Sequence, residues 1–170
     1  LFQTTSTNVI DALTQKAGIS SLSSGPSVSK PVIRGMGYNR VLTIHDGVRQ
    51  EGQQWGDEHG IEIDDANISK IEILKGPASL VYGSDAMAGV IHILSNTNIP
   101  NNTIKFTAGT EYQTNNKLNS LHAGLLASKK GWSWGTNVNF KSAGDYHNKF
   151  DGYVFNSGLI QKNISGQLGY

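Results

Sequence analysis

The residues best suited to chemistry crowd into one stretch, "RQEGQQWGDEHGIEIDDAN" (49–67), which carries Asp57, Glu58, His59, Glu62, Asp64 and Asp65. Imidazole and carboxylate together, without thiolate, are a donor set for Zn²⁺ and other divalent ions. The chain has no cysteine, so any metal it holds must be held by His, Asp or Glu. Three readings stay open. The stretch is a divalent-metal site built on Asp57, Glu58 and His59, or it recognises a larger metal chelate through Gln53 and Trp55. The third is an exposed acidic loop in which the histidine has no ligand role. His45 and His92 lie inside strand-like runs and read as packed residues. His147, in "GDYHNKFDG", is a remote second ligand candidate.

Catalytic readings find little support. Metal hydrolases of the H-E-x-x-H type present two histidines on one helix face, and no such pair exists here. Ser79 and Ser84 have no base beside them in sequence, so no nucleophile–base constellation appears. The 46–60 stretch is not an EF-hand loop, because its oxygen ligands and central glycine are out of register. The expectation is a protein that is not an enzyme and has no required cofactor, with zinc or another divalent metal as the ion that the 49–67 stretch would bind.

The elements that must position this loop differ between the two halves of the chain. "TNVIDALTQKAG" (7–18) predicts a short helix capped by Thr7 or Asn8, with Val9, Leu13 and Ala17 on its apolar face and Gly18 at its end. A Ser/Gly-rich loop follows (20–29). Short Val/Ile-rich runs at 31–35, 40–47, 68–76 and 89–95 end in Gly, Asp or Asn and predict strands. After "NTNIPNN" (96–102) the pattern becomes strict alternation. Ile104, Phe106, Ala108 and Tyr112 share one face, as do Leu121, Ala123, Leu125 and Ala127. Trp132, Trp134, Val138 and Phe140 form a third set, and Ile164, Leu168 and Tyr170 a fourth. Leu126 interrupts the polar side of the second strand, and His122 belongs to that polar side.

Two architectures fit such strands. One is a soluble β-meander resting on a core. The other is the start of a transmembrane β-barrel, with apolar side chains toward lipid and small or polar ones toward the lumen. Four strands cannot close a barrel, so the second reading makes the chain a fragment. A net charge of +1 with 14 Lys and Arg scattered over 170 residues argues against a nucleic-acid binder. No run of apolar residues is long enough for a membrane-crossing helix, and the first residues do not form a signal peptide.

"PVIRGMGYNRVLTIHDGVRQ" (31–50) and "EILKGPASLVYGSDAMAGVIHIL" (72–94) resemble, in order and spacing, the plug domain of TonB-dependent outer-membrane receptors. The resemblance covers about residues 5–95, and the later strands resemble the first strands of that family's barrel. It implies an α+β plug domain over 1–96, followed over 97–170 by the first antiparallel strands of an incomplete transmembrane β-barrel. It implies active transport of a scarce nutrient, a metal ion or metal chelate, across the outer membrane of a Gram-negative bacterium. The implied partner is the TonB inner-membrane complex. It would act through a TonB box that residues 1–6 do not resemble and that is therefore expected outside this stretch. The turn glycines Gly35, Gly76, Gly83 and Gly89 would shape the plug against a surrounding wall, with Pro77 opening a helical turn. Arg34 and Lys75 would meet wall carboxylates as a latch. The 49–67 loop resembles the apical loop of zinc-uptake members, in which an Asp–His pair contributes to a metal site; here "DEH" stands in its place. A plug-like periplasmic sensor module without transport is the alternative.

Overall fold

The computed structural model describes residues 8–25, 28–52, 59–61, 63–95 and 99–170. The chain divides into two compact units, Leu1–Asn96 and Thr97–Tyr170.

The first unit begins with a single helical turn, α1 (Val9–Leu13), much shorter than the 7–18 span expected. Asn8 is its N-cap: the side-chain Oδ1 accepts from the Asp11 N–H at 2.9 Å. The Asp11 carboxylate in turn accepts from the Ser29 hydroxyl at 3.0 Å, so the cap is tied to a neighbouring strand. Val9, Ile10, Ala12 and Leu13 are buried, whereas Ala17 lies beyond the helix. Five residues cannot present the long stripe that the wider span implied, and adjacent positions such as Val9 and Ile10 both turn inward.

The Ser/Gly-rich stretch expected as loop forms strand instead. β1 (Ile19–Gly25) pairs antiparallel with β2 (Val28–Ile33). Its serines carry no hydrophobic period, which hides it from pattern reading; the ladder to β2 supplies what the side chains do not. Pro31 is accommodated because a two-stranded ribbon has free edges. At the end of β2, Ile33 and Met36 exchange backbone hydrogen bonds at 2.9 and 3.0 Å across Arg34 and Gly35. Both central residues have positive φ (51° and 80°), the geometry of a two-residue turn in which glycine is favoured second.

The main sheet has the order β4-β3-β6-β5, formed by β3 (Val41–His45), β4 (Val48–Gln50), β5 (Ile68–Lys75) and β6 (Gly89–Ser95). β3 and β6 run parallel, and the other two pairings are antiparallel. Both faces of the sheet are covered, which explains why β6 reads as a nearly continuous apolar run. On one face Ile91, Ile93 and Val41 pack with Val9, Ile10, Leu13, Ile19 and Ile33. On the other, Val90, Leu42 and Ile44 pack with Ala86 and Leu74. Gly89 is required by contact as well as conformation. At φ 153°, a Cβ there would stand 2.6 Å from the Leu74 carbonyl oxygen and 3.1 Å from Ile33 Cδ1. That close approach is within the unit, strand against strand.

The second unit is a meander, order β12-β9-β8-β7. It is built from β7 (Thr103–Gln113), β8 (Leu118–Lys129), β9 (Trp132–Ala143) and β12 (Leu159–Gly169). A small hairpin, β10 (His147–Asn148) with β11 (Gly152–Tyr153), sits in the 144–158 loop. The strands hold 11 or 12 residues. At ~3.4 Å per residue and a tilt of ~45°, such a strand rises about 26 Å, the height of a membrane hydrocarbon layer.

Candidate functional site

The parallel pairing of β3 with β6 brings several connections to one end of the main sheet. β3 and β6 start there, β5 finishes there, and β4 runs back toward it. The turn Tyr38–Arg40, the start of the 51–64 segment and the whole 76–88 connection therefore meet at this end. The Ala88 N–H donates to the Arg40 carbonyl at 2.8 Å and fastens two of them. Arg49, the middle residue of β4, forms an ion pair with Asp85 in the 84–86 turn and another with Glu51 at 3.1 Å. The guanidinium holds the Asp85 carboxyl below its usual range, first by hydrogen bonding and then by charge. The base of the acidic segment is thus clasped to the 76–88 connection.

Within that connection Gly76 and Gly83 take φ values of 83° and 101° with extended ψ, a region closed to other residues, and bracket a 3-10 helix at Pro77–Tyr82. Pro77 occupies its first turn, as expected from its type. Ser79 is fully buried, and its hydroxyl lies 2.8 Å from the Gly76 carbonyl and 2.6 Å from that of Ala86. It is a structural staple whose hydroxyl is taken up by backbone carbonyls. The tightened backbone pushes Leu80, Val81 and Met87 outward, at 64%, 88% and 61% exposure, with Tyr82 beside them. Sequence reading took the 76–89 glycines as its clue and missed this apolar ledge, the Ser79 staple and the Arg49–Asp85 clasp. The ledge was hidden because the exposure of "SLVY" leaves no mark in residue type or period.

The other candidates fall as follows. Gln53, Trp55, Asp57, Glu58 and Glu62 lie outside the described residues. His59 is exposed, next to Gly60, where a Cβ would stand 3.0 Å from the Ser29 amide nitrogen of β2. Asp64 accepts from the Ala66 N–H at 3.1 Å, capping the short turn Asp65–Asn67. Among the described residues no three His, Asp or Glu side chains gather closely enough to hold a metal ion. Arg34 is exposed on its two-residue turn. Lys75 donates from Nζ to the Ala17 carbonyl at 2.5 Å, so its ammonium engages a partner inside the first unit.

His45 and His92 are half-buried strand residues. His45 Nε2 lies 3.0 Å from Ser95 Oγ and 3.5 Å from Asp46 Oδ2. One ring nitrogen faces both groups, so they cannot act as a relay, which needs the two nitrogens in series. His92 stands cross-strand from Glu72, with its Nδ1 at 3.9 Å and its buried Nε2 without a hydrogen-bond partner among the described residues. The Glu72 carboxyl is lowered chiefly by Lys70, 2.6 Å away.

In the second unit the burial pattern is inverted relative to a soluble sheet. Rows such as Ala108–Ala123–Val138–Ile164 and Phe106–Leu125–Thr136–Gly166 run across the four strands on one face. Ile104, Phe106, Leu121, Trp134 and Ile164 on that face are exposed, while Ser120, Ser128, Asn139 and Lys141 on the other are buried. The polar face packs by size matching across strands. A Cβ at Gly109 would stand 2.2 Å from His122, one at Gly124 would stand 2.4 Å from Asn137, and one at Gly135 would stand 2.4 Å from Leu126. Leu126, which interrupts the polar alternation in sequence, fills the slot left by Gly135. His147 is exposed on its hairpin, with Tyr153 edge-on at 5.1 Å. The loop around it is knotted by Asp145, which accepts from the Ser157 and Gly158 N–H groups at 2.9 Å.

Residues 1–90 match the family profile described as TonB-dependent Receptor Plug Domain. The chain belongs to this family. Its members are receptors, not enzymes. The chain is 42% identical over 88 residues to the hemin receptor of Yersinia pestis, covering 51% of this chain and 13% of that protein. It is 35% identical over 115 residues to the vitamin B12 transporter of Vibrio vulnificus, covering 65% of this chain and 19% of that one. Among solved structures, the copper transporter OprC superposes with a TM-score of 0.82 at 20% identity, covering 95% of this chain and 25% of that one. The FrpB iron transporter from Neisseria meningitidis gives 0.79 at 18%, covering 97% and 26%. Those two structures speak for the fold: a plug followed by antiparallel strands corresponding to about a quarter of a whole receptor.

Proposed function

We propose that this chain is the plug and first wall strands of a receptor in the outer membrane of a Gram-negative cell. The receptor binds a metal ion or metal chelate and admits it when the TonB complex moves the plug. The observation that carries the cargo class is the end of the main sheet. There an apolar ledge (Leu80, Val81, Met87) stands on the connection that the Arg49–Asp85 pair clasps to the base of the Asp57–His59 segment. A bare hydrated ion has no use for such a ledge, whereas a chelate offers both apolar surface and a metal-borne charge. The relatives named above are labelled for hemin, vitamin B12, copper and iron, and zinc appears in none of those names. Zn²⁺ is therefore the second reading, supported by the likeness of the "DEH" segment to zinc-uptake loops. Contact with TonB runs through a segment other than the described residues.

Arg34 is proposed as the plug's latch to a wall carboxylate. Lys75, engaged with Ala17, orders the β5 end. A wall carboxylate covered by the plug would be left unpaired without the guanidinium, so neutralising Arg34 should loosen the plug.

Calorimetric titration of the whole receptor with hemin, a ferric siderophore, Cu²⁺ and Zn²⁺ tests the cargo class. Leu80→Asp is expected to weaken a chelate about tenfold, the effect of losing roughly one buried apolar contact. His59→Ala is expected to weaken whichever probe binds through its metal. Equal affinities of wild type and both variants for all four probes refute the site.

A further inference from the structure

The outward face of the second unit ends in different chemistry at its two ends. At one end β8 and β9 are joined by the two-residue turn Lys130–Gly131, both residues at positive φ. Lys129 pairs in register with Trp132, and the Trp132 ring lies 4.9 Å from that of Tyr170. Trp134 is the next outward residue on β9 and is half-exposed. The sequence around this end (99–105, 128–135 and 165–170) holds Lys105, Lys129 and Lys130 and no Asp or Glu. Every acid of residues 97–170, namely Glu111, Asp145 and Asp151, lies toward the opposite end, where Lys117, Lys141, Lys149 and Lys162 offset them. The acids are confined to one end, and the acid-free end is the one that carries the aromatic pair.

We propose that the Lys129–Gly131 turn and the Trp132–Tyr170 pair form a binding surface for the headgroup of an anionic membrane phospholipid. Lys129 and Lys130, both exposed, supply cations on flexible stems that reach from the edge of the apolar face to the phosphate. The tilted rings sit at the depth where one side of an aromatic is wet and the other dry. Within residues 97–170 no carboxylate lies near the ammonium groups at this end. In outer-membrane barrels the short turns face the periplasm, so the headgroup belongs to the inner leaflet. The proposal rests on the barrel reading above. It adds a lipid preference at one place on the wall, independent of cargo.

The test uses the whole receptor reconstituted in phosphatidylcholine vesicles containing about one-fifth phosphatidylglycerol. Brominated phosphatidylglycerol and brominated phosphatidylcholine are compared as quenchers of tryptophan fluorescence, and the difference between wild type and Trp132→Phe isolates Trp132. Two cations near an anionic headgroup correspond to a preference of up to about thirtyfold for the anionic lipid. The double variant Lys129→Gln/Lys130→Gln should bring it near parity, Lys129→Arg/Lys130→Arg should restore it, and Lys149→Gln at the other end should leave it intact. Inorganic phosphate, at ionic strength matched with chloride, should not remove it. An unchanged preference in the double glutamine variant overturns the proposal, as does abolition by phosphate alone. Absence of quenching by either lipid would instead defeat the barrel reading itself.

Discussion

Replacing Gly89 with alanine adds one methyl group at a point where the structure leaves no room for it. The new Cβ would stand 2.6 Å from the Leu74 carbonyl oxygen and 3.1 Å from Ile33 Cδ1, on a backbone at φ 153°. The carbonyl cannot retreat freely, because Leu74 and Lys75 are paired with Val90 and Gly89 in the β5–β6 ladder. A side chain forced into such a backbone region costs about 1–3 kcal/mol. Overpacking against atoms that cannot move adds about 1–3 kcal/mol more. Gly76 is the internal control: its φ is 83°, yet a Cβ there would meet nothing within 4 Å. Gly76→Ala should therefore carry the backbone cost alone. Native-state hydrogen exchange of the whole receptor, read on peptides spanning 68–95, separates the two. Exchange in Gly89→Ala should exceed that in Gly76→Ala by about tenfold or more, the equivalent of ~1.4 kcal/mol of local opening. If the two variants exchange alike, the close approach of β6 to β5 is not what requires glycine at position 89.

Two further perturbations probe the wall and the clasp. Val138 lies in the middle of five outward rows, so Val138→Arg should destabilise the membrane-inserted receptor by about 2–4 kcal/mol in denaturant unfolding. The same substitution at exposed Phe150 in the 144–158 loop should cost almost nothing. The Asp85 carboxyl, held below its ordinary 3.8 by Arg49, contributes to stability above that value, and the contribution is lost as pH falls through the lowered folded-state value. Carbon-detected NMR titration of labelled aspartate should find Asp85 titrating below 3.8, returning toward it in Arg49→Gln and in high salt.

The strands were legible because their side chains obey simple periods. β6 matches the Val/Ile run at 89–95, and the outward rows follow from alternation along each strand. The "RG", "DG" and "KG" pairs at 34–35, 46–47 and 130–131 all prove to be two-residue turns, since glycine at the second position announces positive φ. β1 was not legible, because its serines bury little and owe their conformation to a ladder with a distant partner. The helix was overextended because Ala17 continued a spacing that the backbone abandons after Leu13.

Sequence by itself determined which residues face each way along a strand, where the chain changes from one period to the other, and which family's motifs stand between 31 and 95. It could not determine what those residues meet. That Leu80, Val81 and Met87 are presented outward follows from the parallel pairing of β3 with β6 and from two glycine-only conformations at 76 and 83. That Arg49 reaches Asp85, 36 residues away, follows from the same pairing. That Leu126 belongs among polar neighbours follows from Gly135 lying opposite it in register. Local periodicity records the direction of a side chain. Only long-range strand pairing sets its neighbours, and the neighbours decide whether an apolar residue is core, ledge or lipid contact.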